Sequence, residues 1–257
     1  MSHRSFHKPV RVGQFLACAL WVTAWGPAAA AGLTEGLTVG GSLAVTSDYI
    51  YQGLSQSDGH GALQGDLHVG NANGTFLGAW ASSRDEDLSP GAPAVLQAYV
   101  GQRFELPDAW STTLSARYYY YIDASSYEPS GDYVELSVRF NYLDRWSFAI
   151  TAVPNAVRYW DYIRISRSPA YVADASCQWL LFRDFFFTAG AGYYYSTGTG
   201  EGIERATGYA YGNVGLAYEH HAWRLDVGYF LTQEAAQRSF PYPIASQKFA
   251  ATLAWRF

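Results

Sequence analysis

Cysteine is nearly missing from this chain, methionine occurs once, and charged residues make up 15% of its 257 positions, against about a quarter in soluble domains. Long apolar runs are missing too. Beyond the N-terminus no stretch reaches the roughly 18 residues needed to cross a bilayer as a helix, which excludes a helical membrane protein. The two cysteines are Cys18 and Cys177, and if a leader carrying Cys18 is removed, no internal disulfide can form. The fold then has to close by hydrogen bonding and packing. What is abundant is tyrosine, 21 copies within an aromatic share of 17%, beside 25 glycines. Mean hydropathy is nonetheless only −0.11. That balance suits a transmembrane β-barrel, whose strands turn alternate residues to lipid and to a polar interior.

Residues 1–31 read as a signal peptide. His3, Arg4, Lys8 and Arg11 form a basic start, 12–25 is apolar, and Pro27-Ala28-Ala29-Ala30-Ala31 offers small residues for cleavage after Ala30 or Ala31. Cys18 is not placed for lipid attachment, because Ala19, Leu20, Trp21 and Val22 continue the apolar run past it. Losing Arg4, Lys8 and Arg11 lowers Lys plus Arg from 17 to 14 against 22 acids, a net charge of −8. An acidic exported chain gives no case for nucleic-acid binding.

The remainder, 32–257, reads as one all-β domain of about twelve segments. They are 37–53, 62–70, 75–83, 94–104, 110–121, 132–142, 145–154, 170–180, 185–196, 209–218, 222–231 and 247–257. Several alternate with period two. Val134, Leu136, Val138 and Phe140 share one face, and Glu135, Ser137, Arg139 and Asn141 the other. A soluble sandwich would alternate as well, so the connections carry more weight. Short ones (71–74, 105–109, 143–144, 181–184 and 219–221) alternate with long ones (54–61, 84–93, 122–131, 155–169, 197–208 and 232–246). An up-and-down antiparallel barrel with short periplasmic turns and longer extracellular loops sorts its connections this way, and a Greek-key sandwich does not. Tyr49, Tyr51, 118–121 and 193–195 all sit on the long-loop side, where a girdle at the membrane interface is expected.

The last segment, QKFAATLAWRF, puts Phe249, Leu253, Trp255 and the terminal Phe257 on one face. A closing amphipathic strand ending in phenylalanine resembles the signal read by the barrel-assembly machinery. Physically, it must pair with the first strand so that no edge meets lipid.

One stretch, 46–81, carries Ser47-Asp48-Tyr49, Gly53, the block Ser55-Gln56-Ser57-Asp58-Gly59, then Ala62, Gln64 and Gly65, and finally Gly78 and Trp80. In these residues it resembles the opening of the TorF-like porins, bacterial outer-membrane conserved hypothetical proteins. The remainder fits in length and layout. Where members carry a basic residue and proline after the block, this chain has His60 and Gly61. The resemblance implies an outer-membrane porin with an unsettled substrate.

If the apolar faces meet lipid, the lumen receives Gln64, Asp66, His68, Gln97, Arg103, Arg117, Glu135, Arg139, Asp174, Arg224, Asp226, Lys248 and Arg256. Two arrangements are open: a water-filled pore whose facing charges set selectivity, or charges that pair with one another and plug a narrow barrel. Twelve strands lie between the filled eight-strand and the open sixteen-strand barrels, so width does not choose.

A hydrolytic barrel is the rival class, and it would need a Ser/His/acid set. The candidates are His60 with Asp58, Ser55 and Ser57, which have the composition of a polar turn, and His68 with Asp66 on one strand face. No catalytic or metal-binding motif occurs. A third class, an adhesin or receptor, would act through loop aromatics and arginines: Tyr159, Trp160, Arg164 and Arg167, with Arg238, Phe240 and Tyr242. The reading preferred is a non-enzymatic channel for small hydrophilic solutes in the bacterial outer membrane. Its expected surroundings are lipid bilayer, lipopolysaccharide and the assembly machinery, with no cofactor and no metal.

Overall fold

Residues 36–88, 92–122, 131–161, 164–198, 207–236 and 247–257 are described in this computed structural model, with the backbone alone for 158–161 and 164–166. The expected leader, 1–31, lies outside them. In chain order the strands are β1 (Leu37–Thr46), β2 (Ile50–Tyr51), β3 (Leu54–Ser55), β4 (Ala62–Asn71), β5 (Thr75–Ser83), β6 (Ala94–Glu105) and β7 (Trp110–Ile122). They continue with β8 (Tyr133–Tyr142), β9 (Trp146–Asp161), β10 (Arg164–Phe182), β11 (Phe185–Ser196), β12 (Thr207–His220), β13 (Trp223–Thr232) and β14 (Lys248–Arg256). All but β2 and β3 close into one antiparallel barrel of twelve strands.

Closure is made between the chain ends. β1 pairs with β14 from Ser42↔Arg256 to Thr46↔Thr252, and beyond that Gly41 and Phe257 exchange both backbone hydrogen bonds, at 3.0 and 3.1 Å. A Cβ on Gly41 would lie 2.6 Å from the Phe257 ring, so the small residue lets the terminal aromatic fold over the seam. No ladder edge is left to face lipid, the condition that hydrocarbon imposes on any spanning sheet.

Side chains sort by parity as the alternation predicts. Leu63 is 67% and Phe249 75% exposed on the outer wall, with Leu136, Val138 and Phe140 beside them, whereas Glu135 is 1% exposed inside. The outer wall is therefore apolar and the inner wall polar, the reverse of a soluble domain. Aromatics ring both ends: Tyr118, Tyr120, Tyr171, Tyr193 and Tyr195 on the long-loop side, and Trp110, Trp146, Trp179, Trp223 and Trp255 on the short-turn side. Trp110 to Tyr120 is ten residues, a rise of about 25 Å at roughly 3.3 Å per residue and 40° tilt, which matches the lipid-facing band of outer-membrane barrels.

Four expectations are corrected. The segment 37–53 stops as a wall strand at Thr46. The loop expected at 155–169 is mostly strand, since β9 runs to Asp161 and β10 restarts at Arg164. Pro154 and Pro169 sit where the β9–β10 register shifts, so neither is asked for a ladder N–H. Asn155 Oδ1 accepts the Val134 N–H there at 2.9 Å. The tyrosine clusters are only half girdle, because period two sends Tyr119 and Tyr194 inside and the chain's departure from the wall after Thr46 takes Tyr49 there. Finally Glu219 belongs to β12 rather than to a turn, and it points inward.

Candidate functional site

After Thr46 the chain leaves the wall and turns into the barrel. Ser47 and Asp48 interrupt the alternation, and β2 and β3 form a small hairpin within the lumen, Ile50↔Ser55 and Tyr51↔Leu54. Its two-residue turn is Gln52-Gly53, with φ of 48° and 78°, both left-handed as the tightest hairpin turn requires. Only glycine fits the tip. A Cβ on Gly53 would lie 2.6 Å from Thr232 Oγ1 and 2.7 Å from Tyr211 Cβ.

The base of the hairpin is knotted by the block that carried the family resemblance. Asp48 Oδ1 accepts from Ser55 Oγ at 2.6 Å and lies 3.1 Å from Ser57 Oγ. Ser57 Oγ accepts the Tyr49 N–H at 2.8 Å, and Ser55 Oγ accepts the Gly59 N–H at 3.1 Å. Lys248 Nζ stands 3.7 Å from Asp48 Oδ2, tying the knot to the seam. Arg84 donates to Gln56 Oε1 at 3.2 Å. Asp58 has a left-handed φ of 50° and Gly59 one of 77°, so the pair turns the chain back toward β4.

The far end reaches the opposite wall through Tyr51, while its turn is held by β12 and β13. Tyr51 donates to Glu135 on β8 and lies 3.2 Å from the Tyr119 hydroxyl on β7. Tyr209 donates to Gln52 O at 3.0 Å, and Thr232 to Gly53 O at 2.8 Å. Leu54 is buried among Val153, Ala170, Val172, Tyr194 and Tyr209. The hairpin thus spans the lumen as a strut, held by side-chain bonds at both ends.

Among the described residues, two unfilled spaces lie beside it. The larger, about 940 Å³ counting its open mouth, lies against Tyr51, Gln52 and Gly53 and is walled by Glu135, Arg139, Asp174, Tyr211 and Asn213. It runs down to Asp144 and Arg145, in a short turn, so it opens on the short-turn side. The smaller, about 550 Å³, is lined by Asp48, Ile50, Gln64, Asp226 and Thr252. Asn213 and Phe230 line both, and Phe230 packs on Ile50 and Ala250, which makes an apolar neck between the chambers.

A repeated device fixes two of the lumen carboxylates. Tyr211 on β12 lies over Gly192 on β11, where a Cβ would come within 2.3 Å of the ring, and its hydroxyl donates to Asp174 on β10. Tyr99 on β6 lies over Gly78 on β5 and donates to Asp66 on β4 at 2.7 Å. A third cluster surrounds Arg224, whose side chain is fully buried. It donates twice to Asp226 at 2.7 Å, to Glu219 at 2.6 Å and to Gln178 at 3.2 Å.

The residues expected in the lumen fall into three groups. Glu135, Arg139 and Asp174 line the larger chamber, and Gln64 and Asp226 the smaller. Asp66, His68, Gln97, Arg117, Arg224, Lys248 and Arg256 lie on the inner wall outside both, several of them paired: His68 with Asp66 at 2.8 Å, Arg117 with Glu135 at 3.8 Å, Arg256 with Glu219 at 3.3 Å. Arg103 closes the short-turn end with Glu105 at 2.6 Å and Asp144 at 3.3 Å. Sequence reasoning missed the hairpin, the neck at Phe230, and the tyrosines that hold the carboxylates. Gln52-Gly53 between β-formers was the signal for the first.

The serine–histidine candidates do not assemble. Ser57 Oγ donates to the His60 carbonyl at 2.7 Å, while the His60 ring turns away to Asp85 at 2.9 Å. Arg167 donates to the carbonyls of Asp132, at 2.6 Å, and Asn155. The side chains of Tyr159, Trp160, Arg164, Arg238, Phe240 and Tyr242 lie outside the described residues.

Asp85 lies in the loop after β5. Its carboxyl is held below the usual aspartate range, first by accepting the Asp87 N–H at 2.9 Å and then by the His60 ring, against slight burial. A depressed value means these bonds stabilise the loop above the unfolded pKa of about 3.9 and are lost as pH falls through the lowered value. In an acid titration followed by NMR, the Asp87 amide resonance is expected to move with a midpoint below about 3.9. A midpoint at or above it would show that the bond is not made.

Comparison with known proteins places this architecture. The NanC porin superimposes with a TM-score of 0.51 at 15% identity, over 85% of this chain and 98% of that one. An outer-membrane channel from Pseudomonas putida F1 gives 0.51 at 12%, over 88% and 96%. At such identities the likeness shows the fold that is shared. Among curated proteins no sequence matches. A model of the family Gcw_chp, described as bacterial protein of unknown function, matches residues 30–193. With well over half its length matched, the chain belongs to the Gcw_chp family.

Proposed function

We propose that this protein is a channel of the bacterial outer membrane that passes small hydrophilic solutes beside a fixed internal hairpin. The observation that carries the reading is the inversion of the barrel: Leu63, Leu67, Leu136 and Phe249 face outward, Glu135, Arg224 and Asp66 are buried inside, and Glu135, Arg139 and Asp174 line an unfilled polar chamber. A barrel with an apolar outside has lipid as its surroundings, and chambers lined by carboxylate, guanidinium and amide groups have water and polar solutes as theirs. The resemblance of 46–81 to the TorF-like porins supports the same reading. So does the terminal strand, whose Phe249, Leu253, Trp255 and Phe257 would serve recognition by the assembly machinery, with the belts of tyrosine and tryptophan meeting headgroups and lipopolysaccharide. A signal peptide at 1–31 would deliver the chain for export.

The serines that a hydrolase would need are committed to holding Asp48 and the hairpin base, which favours a channel over the enzymatic alternative. Reconstituted into planar bilayers, the protein is expected to give stepwise conductance in potassium chloride. Bilayers that stay silent across salts and voltages, with protein shown to be inserted, would defeat the proposal.

A further inference from the structure

The larger chamber is mixed in charge in an ordered way. Arg139 on β8 and Asp174 on β10 are both register partners of Ala149 on β9, so their Cα atoms stand two strand spacings apart, about 10 Å, in one row of the wall. Both side chains point into the same space. Each is steadied by a neighbour, Arg139 by the Ser147 hydroxyl and Asp174 by that of Tyr211. Tyr51 roofs the chamber, and the amides of Asn141 and Asn213 add donors and acceptors. A simple anion entering here meets Asp174 and Glu135, and a simple cation meets Arg139. A solute carrying both charges a few ångströms apart meets a complement at each end. Guanidinium and carboxylate held in fixed positions discriminate by such pairing, and by repulsion of the wrong sign.

We propose that the larger chamber is a recognition site for small zwitterions, taking their anionic group at Arg139 and their cationic group at Asp174. The inference rests on the channel reading and gives that channel its substrate class. Full-length protein in liposomes would be assayed for uptake of glycine, methanesulfonate and tetramethylammonium, three probes of similar size with zwitterionic, anionic and cationic charge. Potassium chloride conductance would be measured on the same preparation. The wild type is expected to pass glycine faster than either ion. Asp174→Asn should remove that advantage and raise methanesulfonate relative to tetramethylammonium by roughly fivefold, the value of about one exposed charge contact. Arg139→Gln should remove it and shift the two ions the opposite way. Conductance without a glycine preference, or a preference that survives both substitutions, overturns the zwitterion site while leaving the channel standing. No conductance and no uptake overturns both.

Discussion

Excising residues 49–58 and joining Asp48 to Gly59 by a short glycine–serine linker is expected to raise single-channel conductance several-fold and to admit solutes that the intact protein excludes. Twelve strands spaced about 4.8 Å apart and tilted about 40° enclose roughly 24 Å between opposite backbones. Side chains on the walls leave about half of that width, and the hairpin crosses it from Lys248 at the seam to Glu135 on the far side, with its turn held by Tyr209 on β12 and Thr232 on β13. In the proposed channel, current passes the neck at Phe230, where Ile50 of the hairpin makes the opposing surface. Removing the hairpin removes that surface. The twelve-strand ladder has no bond to lose, because β2 and β3 pair only with each other. Folding should therefore persist, checked by a β-type circular dichroism spectrum and a gel mobility that changes on boiling. A correctly folded deletion variant with wild-type conductance would show that ions take another route.

Arg224→Leu is expected to destabilise the barrel by about 3–5 kcal/mol, the usual cost of leaving buried charges without their partner. Arg224 is the hub of its cluster: its fully buried guanidinium serves Asp226, Glu219 and Gln178 at once. Leucine fills the volume but leaves two carboxylates facing one another, with only Arg256 at 3.3 Å from Glu219 to offset them. The triple variant Arg224→Leu/Glu219→Gln/Asp226→Asn, which removes the repelling charges as well, should recover most of the loss. Urea unfolding in detergent micelles, read by tryptophan fluorescence, would compare the three proteins. If the single variant matches the wild type, the cluster is not holding β10, β12 and β13 together.

Where a residue's environment followed from parity along its own strand, the sequence was legible. Glu135 between Val134 and Leu136 had to face inward once Leu136 faced lipid, and Arg139, Asp174 and Arg224 followed by the same count. Loop lengths likewise revealed the up-and-down topology. What escaped were arrangements joining distant positions. Tyr211, Gly192 and Asp174 are scattered along the chain, yet register stacks them, and nothing local marks that glycine as the bed for that ring. The hairpin escaped for a different reason. Tyr49 and Tyr51 resume the parity of Leu43 and Val45 after Ser47, so 37–53 reads as one strand until the hydrogen-bonding appetite of Asp48 for Ser55 and Ser57 bends it inward. The long hairpin of β9 and β10 escaped because 155–169 reads as a connection, and its prolines, Pro154 and Pro169, fit within strands only where the partner register has slipped.

The bond between Gly41 and Phe257 also sets the order of assembly. Every other ladder of the wall joins stretches that follow one another along the chain, and those can zip locally. The seam alone must bring together stretches more than two hundred residues apart. By loop-closure entropy, that encounter costs about 3.5 kcal/mol more than closing a four-residue turn. It is thus the step that an otherwise finished, curled sheet completes last. Lys248 and Asp48 stand at the other end of the same seam, where the inward hairpin leaves β1. The protein's mouth is narrowed at the place where its wall is last to join, so a barrel that has not sealed would have no anchored strut across it.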